Sequence, residues 1–162
     1  MTLHPDIAYK IVDMTTLQSR LHHWRAVGGS VVFTNGCYDI LHPGHVELLA
    51  QCRSMGDHVV LGLNSDVSVR RLKGADRPVN DQLSRAVVLA GLSFVDAVII
   101  FEEDTPLELI AQIKPDILVK GGDYKATEIV GADLVKKNGG EVRIIPLVEG
   151  FSTTATIDKI SS

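Results

Sequence analysis

Two histidines three positions apart form the strongest chemical motif in this 162-residue sequence. The segment His42-Pro43-Gly44-His45 follows the β-rich run 31–34 and opens a helical pattern that stops at Gly56. A helix N-terminus offers unpaired backbone N–H groups to an anion, and glycine lets the backbone approach a phosphate closely. Imidazole donors can bind oxygens whose charge grows during phosphoryl transfer. The segment therefore predicts a phosphate-binding site, with helix capping and metal binding by the two histidines as open alternatives.

A second helix start, Ser152-Thr153-Thr154, lies near the other end of the chain, before Ile157 and Ile160. Hydroxyl groups and free amides at such a position can hold the outer phosphates of a nucleoside triphosphate. A plain Ser/Thr helix cap is the alternative interpretation. If both segments serve one ligand, the imidazoles and these hydroxyls must converge on a single triphosphate.

Four of the basic residues between these two segments could bind an anionic ligand. Lys73, Arg77 and Arg85 occupy or flank a predicted loop, and Lys120 follows an apolar strand. Negative substrates in a dry cleft need such donors. Glycines follow Lys73 and Lys120, which indicates backbone close to a ligand, whereas Arg70-Arg71 reads as a solvated charged face.

Composition excludes several classes of protein. The formal charge of −4 argues against a protein that binds duplex DNA, and the apolar stretch 86–101 is interrupted and too short for a membrane helix. No secretory signal is visible, and two cysteines without a CxxC motif are expected to be reduced thiols in a cytoplasm. The sequence contains no GxxxxGK[ST], GxGxxG or GxSxG motif, so neither a P-loop kinase, a dinucleotide-binding enzyme nor a serine hydrolase is supported.

Alternating strand and helix patterns predict a doubly wound α/β fold, in which a mostly parallel, five-stranded sheet is covered on both faces. The predicted strands are 31–34, 58–63, 97–101, 117–119 and 142–145. The predicted helices begin at Thr15, Pro43, Asp66, Gln82, Pro106, Ala132 and about Ser152, with Ser65 and Asp81 as caps. The length predicts one domain over residues 1–162, with 1–14 as an N-terminal extension and 15–160 as the core.

The residues that could bind a ligand follow the predicted strands. They lie in 35–45, 64–66, 120–124 and 150–154, each directly after a strand or close behind one. In doubly wound sheets, ligands bind outside the carboxyl ends of the strands. We therefore expect these segments to meet at one edge of the sheet.

The run from Thr34 to His45 resembles the HxGH nucleotidyltransferase superfamily, which includes glycerol-phosphate and phosphocholine cytidylyltransferases and, more distantly, class I aminoacyl-tRNA synthetases. Further segments make the set similar to the D-glycero-β-D-manno-heptose 1-phosphate adenylyltransferases: 72–74, 77–80, 103–106, 119–124, 129–131, 150 and 152–154. Tyr38 and Phe151 depart slightly from the family pattern. The run 147–150 lacks the Arg-Thr-Glu-Gly of cytidylyltransferases, which counts against CTP as the substrate.

The resemblance implies a Rossmann-like enzyme that transfers AMP from ATP to heptose 1-phosphate, in the synthesis of heptose precursors for the lipopolysaccharide core. It implies His42, His45 and Lys73 as catalytic residues. Implied nucleotide-binding residues are Thr34, Asn35, Gly36, Cys37, Gly44, Lys120, Gly121, Asp123, Ser152, Thr153 and Thr154. Implied sugar-phosphate ligands are Asp39, Lys73, Arg77, Arg85 and Tyr124.

The same resemblance implies Mg²⁺ carried by the triphosphate, with no metal ligand from protein side chains. The expected partners are small-molecule substrates and further copies of the chain, without nucleic acid or membrane. The residues alone leave two alternative functions open. One is a CTP-dependent cytidylyltransferase for a polyol or sugar phosphate, and the other is a nucleotide-binding regulatory module without turnover.

Overall fold

From Ile11 to Ile145, one or two helices separate successive strands in a computed structural model that describes residues 2–161. Its strands are β1 Ile11–Val12, β2 Val31–Gly36, β3 His58–Asn64, β4 Ala97–Phe101, β5 Ile117–Gly121 and β6 Glu141–Ile145. Its helices are α1 Pro5–Lys10, α2 Met14–Ala26, α3 Pro43–Met55, α4 Asp66–Lys73, α5 Gln82–Ala90, α6 Leu107–Ile113, α7 Ala132–Lys137 and α8 Thr153–Ser161. A short 3₁₀ turn covers Ala126–Glu128.

The strands form one parallel sheet with the order β1-β4-β3-β2-β5-β6. The predicted doubly wound parallel fold is confirmed, but the sheet has six strands in the described residues where five were predicted. The additional strand is β1, in which Ile11 pairs with Val98 and Val12 with Ile99. A strand of two residues carries no periodic pattern, and these residues fell in the predicted N-terminal extension.

The chain changes direction across the sheet between β2 and β5. After β2 it builds β3 and β4 on one side, and it then returns to add β5 and β6 on the other. The loops that leave two such neighbouring strands diverge, which opens a crevice at their carboxyl ends. The HxGH segment follows β2, and Lys120 lies near the end of β5.

Both faces of the sheet are buried, as a parallel sheet requires. Phe33 and Val60 pack on one face with Leu17 and Ile110, while the opposite face holds Leu49, Leu61 and Leu89. This burial makes the sheet a rigid platform for the loops at its edge. Among the described residues, no helix combines the length and apolar character that a membrane crossing requires.

Local capping explains most helix starts. Ser65 Oγ accepts a hydrogen bond from the Ser68 amide, and Asp81 accepts one from the Ser84 amide, as predicted. The predicted helix start at Thr15 is wrong: Asp13 accepts a hydrogen bond from the Thr16 amide and caps α2, which begins at Met14. Helix α3 has the predicted bounds, from Pro43 at its first turn to Met55 before Gly56.

Candidate active site

A cavity of about 670 Å³ opens at the carboxyl ends of the strands, which is within the size range of small-molecule sites. Its walls come from the segment after β2, the end of α4, the end of β5 and the stretch from 145 to 154. Fifteen of the predicted site residues line it: Asn35, Gly36, Cys37, Asp39, His42, Gly44, His45, Lys73, Arg77, Lys120, Gly121, Tyr124, Ser152, Thr153 and Thr154. The expected meeting of these segments at one edge is confirmed.

The two histidines of the HxGH segment stack on each other at the start of α3. Their ring centroids are 3.7 Å apart, with 19° between the planes. His42 occupies the N-cap position but makes no side-chain capping bond, so the capping alternative does not describe it. A Cβ atom at Gly44 would lie 3.2 Å from the His42 ring. Glycine at this position therefore keeps the space into which the imidazole packs.

Burial keeps both histidines neutral near pH 7. Desolvation, followed by the neighbouring His42, lowers the pKa of His45 to about 4, and desolvation also lowers the pKa of His42. The Nδ1 atoms of both rings are buried without a hydrogen-bond partner of good geometry among the described residues. A neutral imidazole has one N–H donor and one acceptor, so each ring can donate to a ligand oxygen.

The start of α8 faces the HxGH segment. The Phe151 ring centroid is 6.3 Å from that of His42, and Thr153 Oγ1 donates to the Ile40 carbonyl oxygen over 3.3 Å. The Oγ of Ser152 accepts from the Ala155 amide, so the simple capping role also holds for this residue. The imidazoles and the hydroxyl-rich helix start therefore line a single cavity, as the convergence on one triphosphate requires.

Lys120 and Asn35 form the floor between these two walls. They lie on the neighbouring strands β5 and β2, and Lys120 Nζ donates to Asn35 Oδ1 over 3.1 Å. Burial lowers the pKa of Lys120. In the described part of the chain, no carboxylate forms an ion pair with its ammonium group. Its position at the crevice suits an anionic ligand.

Lys73 and Arg77 line the wall opposite β5. Lys73 is the exposed last residue of α4, and Arg77 is half-buried in the following loop. The Arg77 Nε donates to Asp39 Oδ2 over 2.6 Å. Because the Asp39 side chain is only 1% exposed, this carboxylate holds the loop rather than a ligand.

Three predicted ligand-binding residues are outside the cavity lining. Thr34 is buried within β2, and Asp123 is exposed beyond the end of β5. Arg85 is 2% exposed, and its guanidinium donates to protein oxygens, so its predicted contact with the sugar phosphate is not supported by this placement. Sequence position near the site does not distinguish a ligand-binding cation from one buried behind the site.

An apolar part of the cavity wall was not predicted from the sequence. Leu48, Leu118, Ile145 and Pro146 line it, next to Leu147 and Val148. Such side chains can contact the face of a nucleobase. The one signal in the sequence for this apolar wall was the position of Ile145 and Pro146 at the end of a predicted strand. Aliphatic residues at a strand end are equally typical of a core, so this signal does not identify a ligand-binding surface.

Four acidic side chains of the described residues line the cavity, beside three basic ones and the two histidines. Glu47, Asp104 and Glu128 line its wall with Asp39. Within residues 2–161, no group of three histidine, cysteine or acidic side chains is arranged to hold a metal ion.

Comparison with known proteins gives a family match and a similar solved structure. Residues 33–162 match the family model described as cytidylyltransferase-like. The crystal structure of a lipopolysaccharide core biosynthesis protein from Thermoplasma volcanium is similar, with a TM-score of 0.60 and 29% identity, over 75% of this chain and 98% of that one. A pantoate-beta-alanine ligase from Francisella tularensis has a similar fold, with a TM-score of 0.58 and 16% identity over 84% of this chain and 66% of that one.

A longer curated protein is similar over almost all of the chain. The "Bifunctional protein HldE" of Mesorhizobium japonicum is 58% identical over 159 residues, which is 98% of this chain and 32% of that protein. The chain thus spans about a third of the length of this relative. The matched region includes the HxGH segment, the basic residues Lys73, Arg77, Arg85 and Lys120, and the start of α8.

Proposed function

This chain belongs to the cytidylyltransferase-like family, and we propose that it transfers AMP from ATP to D-glycero-β-D-manno-heptose 1-phosphate and releases pyrophosphate. The observation that carries this proposal is the meeting of the stacked His42–His45 pair with the start of α8 in one cavity. Both groups of candidate phosphate donors and the cation Lys120 line this one cavity, which supports a triphosphate as the ligand.

The choice of the sugar rests on the motif set and on two relatives. The segments 72–74, 77–80 and 119–124 resemble those of heptose 1-phosphate adenylyltransferases. The similar solved protein is described as a lipopolysaccharide core biosynthesis protein, and the similar longer protein as bifunctional. The first description fits a precursor of the lipopolysaccharide core, and the motif set supports a sugar 1-phosphate as the acceptor.

The transfer needs alignment more than proton movement. An oxygen of the sugar phosphate attacks the α-phosphorus of ATP, a new P–O bond forms, and the bond to the bridging oxygen breaks as pyrophosphate leaves with the electron pair. The second pKa of a phosphate monoester is about 6, so the nucleophile is already deprotonated near pH 7. No general base is required, and positioning with charge stabilisation supplies the catalysis.

The cavity residues divide this work by position. His42 and His45 donate to oxygens of the α- and β-phosphates, and Lys120 neutralises charge between them. Lys73 and Arg77 receive the acceptor phosphate on the opposite wall. The first turn of α8, with Thr153 and Thr154, holds the β- and γ-phosphates that leave.

We propose that Mg²⁺ is carried by the triphosphate. The Asp39 carboxylate is engaged by Arg77 and by the Val79 and Asn80 amides, which makes it a poor metal ligand. Together with the lack of a metal-ligating cluster in the described residues, this fits an ion held by phosphate oxygens. Such an ion neutralises part of the triphosphate charge when it is bound.

A pyrophosphate-release assay tests the proposal. ATP and CTP are each offered with a panel of sugar 1-phosphates that includes both heptose anomers, and with glycerol phosphate and phosphocholine. We expect release with ATP and the β-anomer of heptose 1-phosphate. Release only with CTP and a polyol phosphate would assign the chain to the cytidylyltransferases, and ATP binding without release from any acceptor would favour a regulatory module.

A further inference from the structure

Arg85 is a buried cation behind the cavity whose hydrogen bonds reach several parts of the site. Nε donates to the Asn80 carbonyl over 3.0 Å, and Nη1 donates to the carbonyls of Cys37 and Asn64 over 2.6 and 2.8 Å. Nη2 donates to Asp66 Oδ1 over 2.8 Å. Four donors of one planar group are thus directed at four separate oxygens.

These oxygens belong to the segments that carry the proposed phosphate donors. Cys37 lies in the loop that leads to the two histidines, and Asn80 lies in the loop that contains Arg77. Asn64 ends β3, and Asp66 begins α4, whose last residue is Lys73. One guanidinium therefore joins the histidine wall of the cavity to the wall of Lys73 and Arg77.

Asp39 completes this arrangement from the histidine side. Its carboxylate accepts from Arg77 Nε and from the amides of Val79 and Asn80, over 2.6, 2.8 and 3.1 Å. The Asn80 side chain donates to the Asp39 carbonyl over 2.9 Å. Asn80 is thus bonded to both Arg85 and Asp39, and the four residues Arg85, Asn80, Asp39 and Arg77 form a continuous bracing network.

We propose that Arg85 is a positioning residue for the transfer step, which sets the separation between the HxGH histidines and the Lys73–Arg77 segment. This inference rests on the proposed function. The acceptor phosphate and the α-phosphorus bind to opposite walls, so their approach depends on that separation. Misplacement of reacting groups by about 1 Å can cost 10²-fold in rate even when the change is remote from the chemistry.

The shape of the side chain explains why an arginine occupies this position. A planar guanidinium has five donors in a fixed fork, whereas a lysine ammonium has three donors about one point. Lysine retains the charge opposite Asp66 but cannot reach three carbonyls in separate directions as well. Arg85→Lys is therefore the informative variant, because it changes the geometry and preserves the charge.

We expect Arg85→Lys to lower kcat by about 10²-fold and to raise KM for the sugar phosphate. The Kd for ATP, measured by calorimetry with ATP alone, should change little, because none of the hydrogen bonds of Arg85 within the described residues reaches β5 or α8. Unchanged kcat and KM in a folded Arg85→Lys protein would overturn the proposal. A parallel loss of ATP affinity, with kcat at saturation unchanged, would overturn it as well.

Arg53→Lys is the matched control. Arg53 also links separate segments, through the Asp57 carbonyl and the Asp96 carboxylate, over 2.7 and 2.6 Å. Those partners precede β3 and β4 at the opposite, amino-terminal edge of the sheet. We expect this variant to leave kcat and both substrate constants unchanged.

Amide hydrogen exchange gives a readout that does not depend on turnover. The Val79 and Asn80 amides, which donate to Asp39, should exchange faster in Arg85→Lys than in Arg53→Lys and the parent protein. If the parent protein releases no pyrophosphate, the proposed function fails, and this exchange result still decides whether Arg85 holds the loop. Equal exchange in all three proteins would overturn the positioning role.

A milder variant covers the case in which Arg85→Lys does not fold. Asp66→Asn removes the ion pair and leaves the three carbonyl contacts in place. We expect a several-fold lower kcat with unchanged affinity for ATP, and an unchanged kcat in this variant would then contradict the proposal.

Discussion

Lys120 Nζ donates to Asn35 Oδ1 over 3.1 Å, between the two strands where the sheet changes direction. The amide is neutral, so it orients the ammonium without cancelling its charge. Desolvation of the half-buried cation is an energetic cost that a bound phosphate would offset. The change of direction between β2 and β5 therefore places this positively charged pair in the cavity, where it can bind an anion.

Lys120→Met should weaken ATP binding and leave the fold at least as stable. Loss of a hydrogen bond from a charged group costs about 1.5–3 kcal/mol, which corresponds to an increase in Kd of about 10- to 100-fold. The unfolding free energy should not fall, because the change removes a poorly solvated charge. Calorimetric titration and thermal unfolding measure the two effects.

Lys137→Met, at the exposed end of α7, controls for the loss of one positive charge. If both variants weakened ATP binding equally, the effect would reflect net charge alone, and the specific role of Lys120 would be wrong.

His45→Ala should lower kcat by about 10²–10³-fold without unfolding the protein, since it removes a donor to charge that develops in the transition state. Steady-state pyrophosphate release and circular dichroism provide the comparison. The exposed His23 on α2 supplies the control variant, His23→Ala. Full turnover by the His45 variant would contradict the catalytic assignment.

The stability of the protein should fall as the pH drops from about 6.5 towards 4, because of His45. The pKa of this group is about 4 in the folded state and 6.5 in the unfolded state. Above pH 6.5 the imidazole is neutral in both states, and below it the unfolded chain takes up a proton that the folded chain does not. His45→Gln should therefore show a smaller loss of melting temperature between pH 7.5 and 5.

His23→Gln, at an exposed position of α2, is the matched control for the substitution itself. Identical slopes for the parent and the His45 variant would mean that burial does not suppress protonation at this site.

Thr153→Val should raise the Kd for ATP by about threefold to tenfold, which corresponds to one neutral hydrogen bond. The bond that is lost is the one from Thr153 Oγ1 to the Ile40 carbonyl, which holds the start of α8 against the HxGH segment. Thr156→Val is the matched control, because its hydroxyl bonds the Ser152 carbonyl and does not line the cavity. An equal loss in both variants, measured by calorimetry, would point to helix stability instead of phosphate binding.

Local chemistry made much of the fold predictable. Side-chain caps at Ser65 and Asp81 and the proline and glycine around α3 are encoded within a few residues. Strand β1 was not predictable in this way. Two residues contain no alternation, and their place is fixed by pairing with β4, more than eighty residues away.

The residues of the candidate site likewise divide into those that the local sequence identifies and those whose role only the folded structure shows. The HxGH segment and the start of α8 were found because their residue types have few common structural uses in that combination. Arg85 was assigned to the ligand since a cation near a site and a cation behind it look identical in sequence. Only the carbonyl oxygens of Cys37, Asn64 and Asn80, brought together by folding, distinguish the two cases.

The contact between Thr153 and Ile40 joins segments 113 residues apart. During synthesis on the ribosome, a nascent chain can complete the whole sheet, through β6, before the second group of phosphate donors emerges. A protease that cuts between β6 and α8 would likewise separate the sheet from one wall of its cavity. The proposed transfer therefore depends on a segment that is synthesised only after the whole sheet.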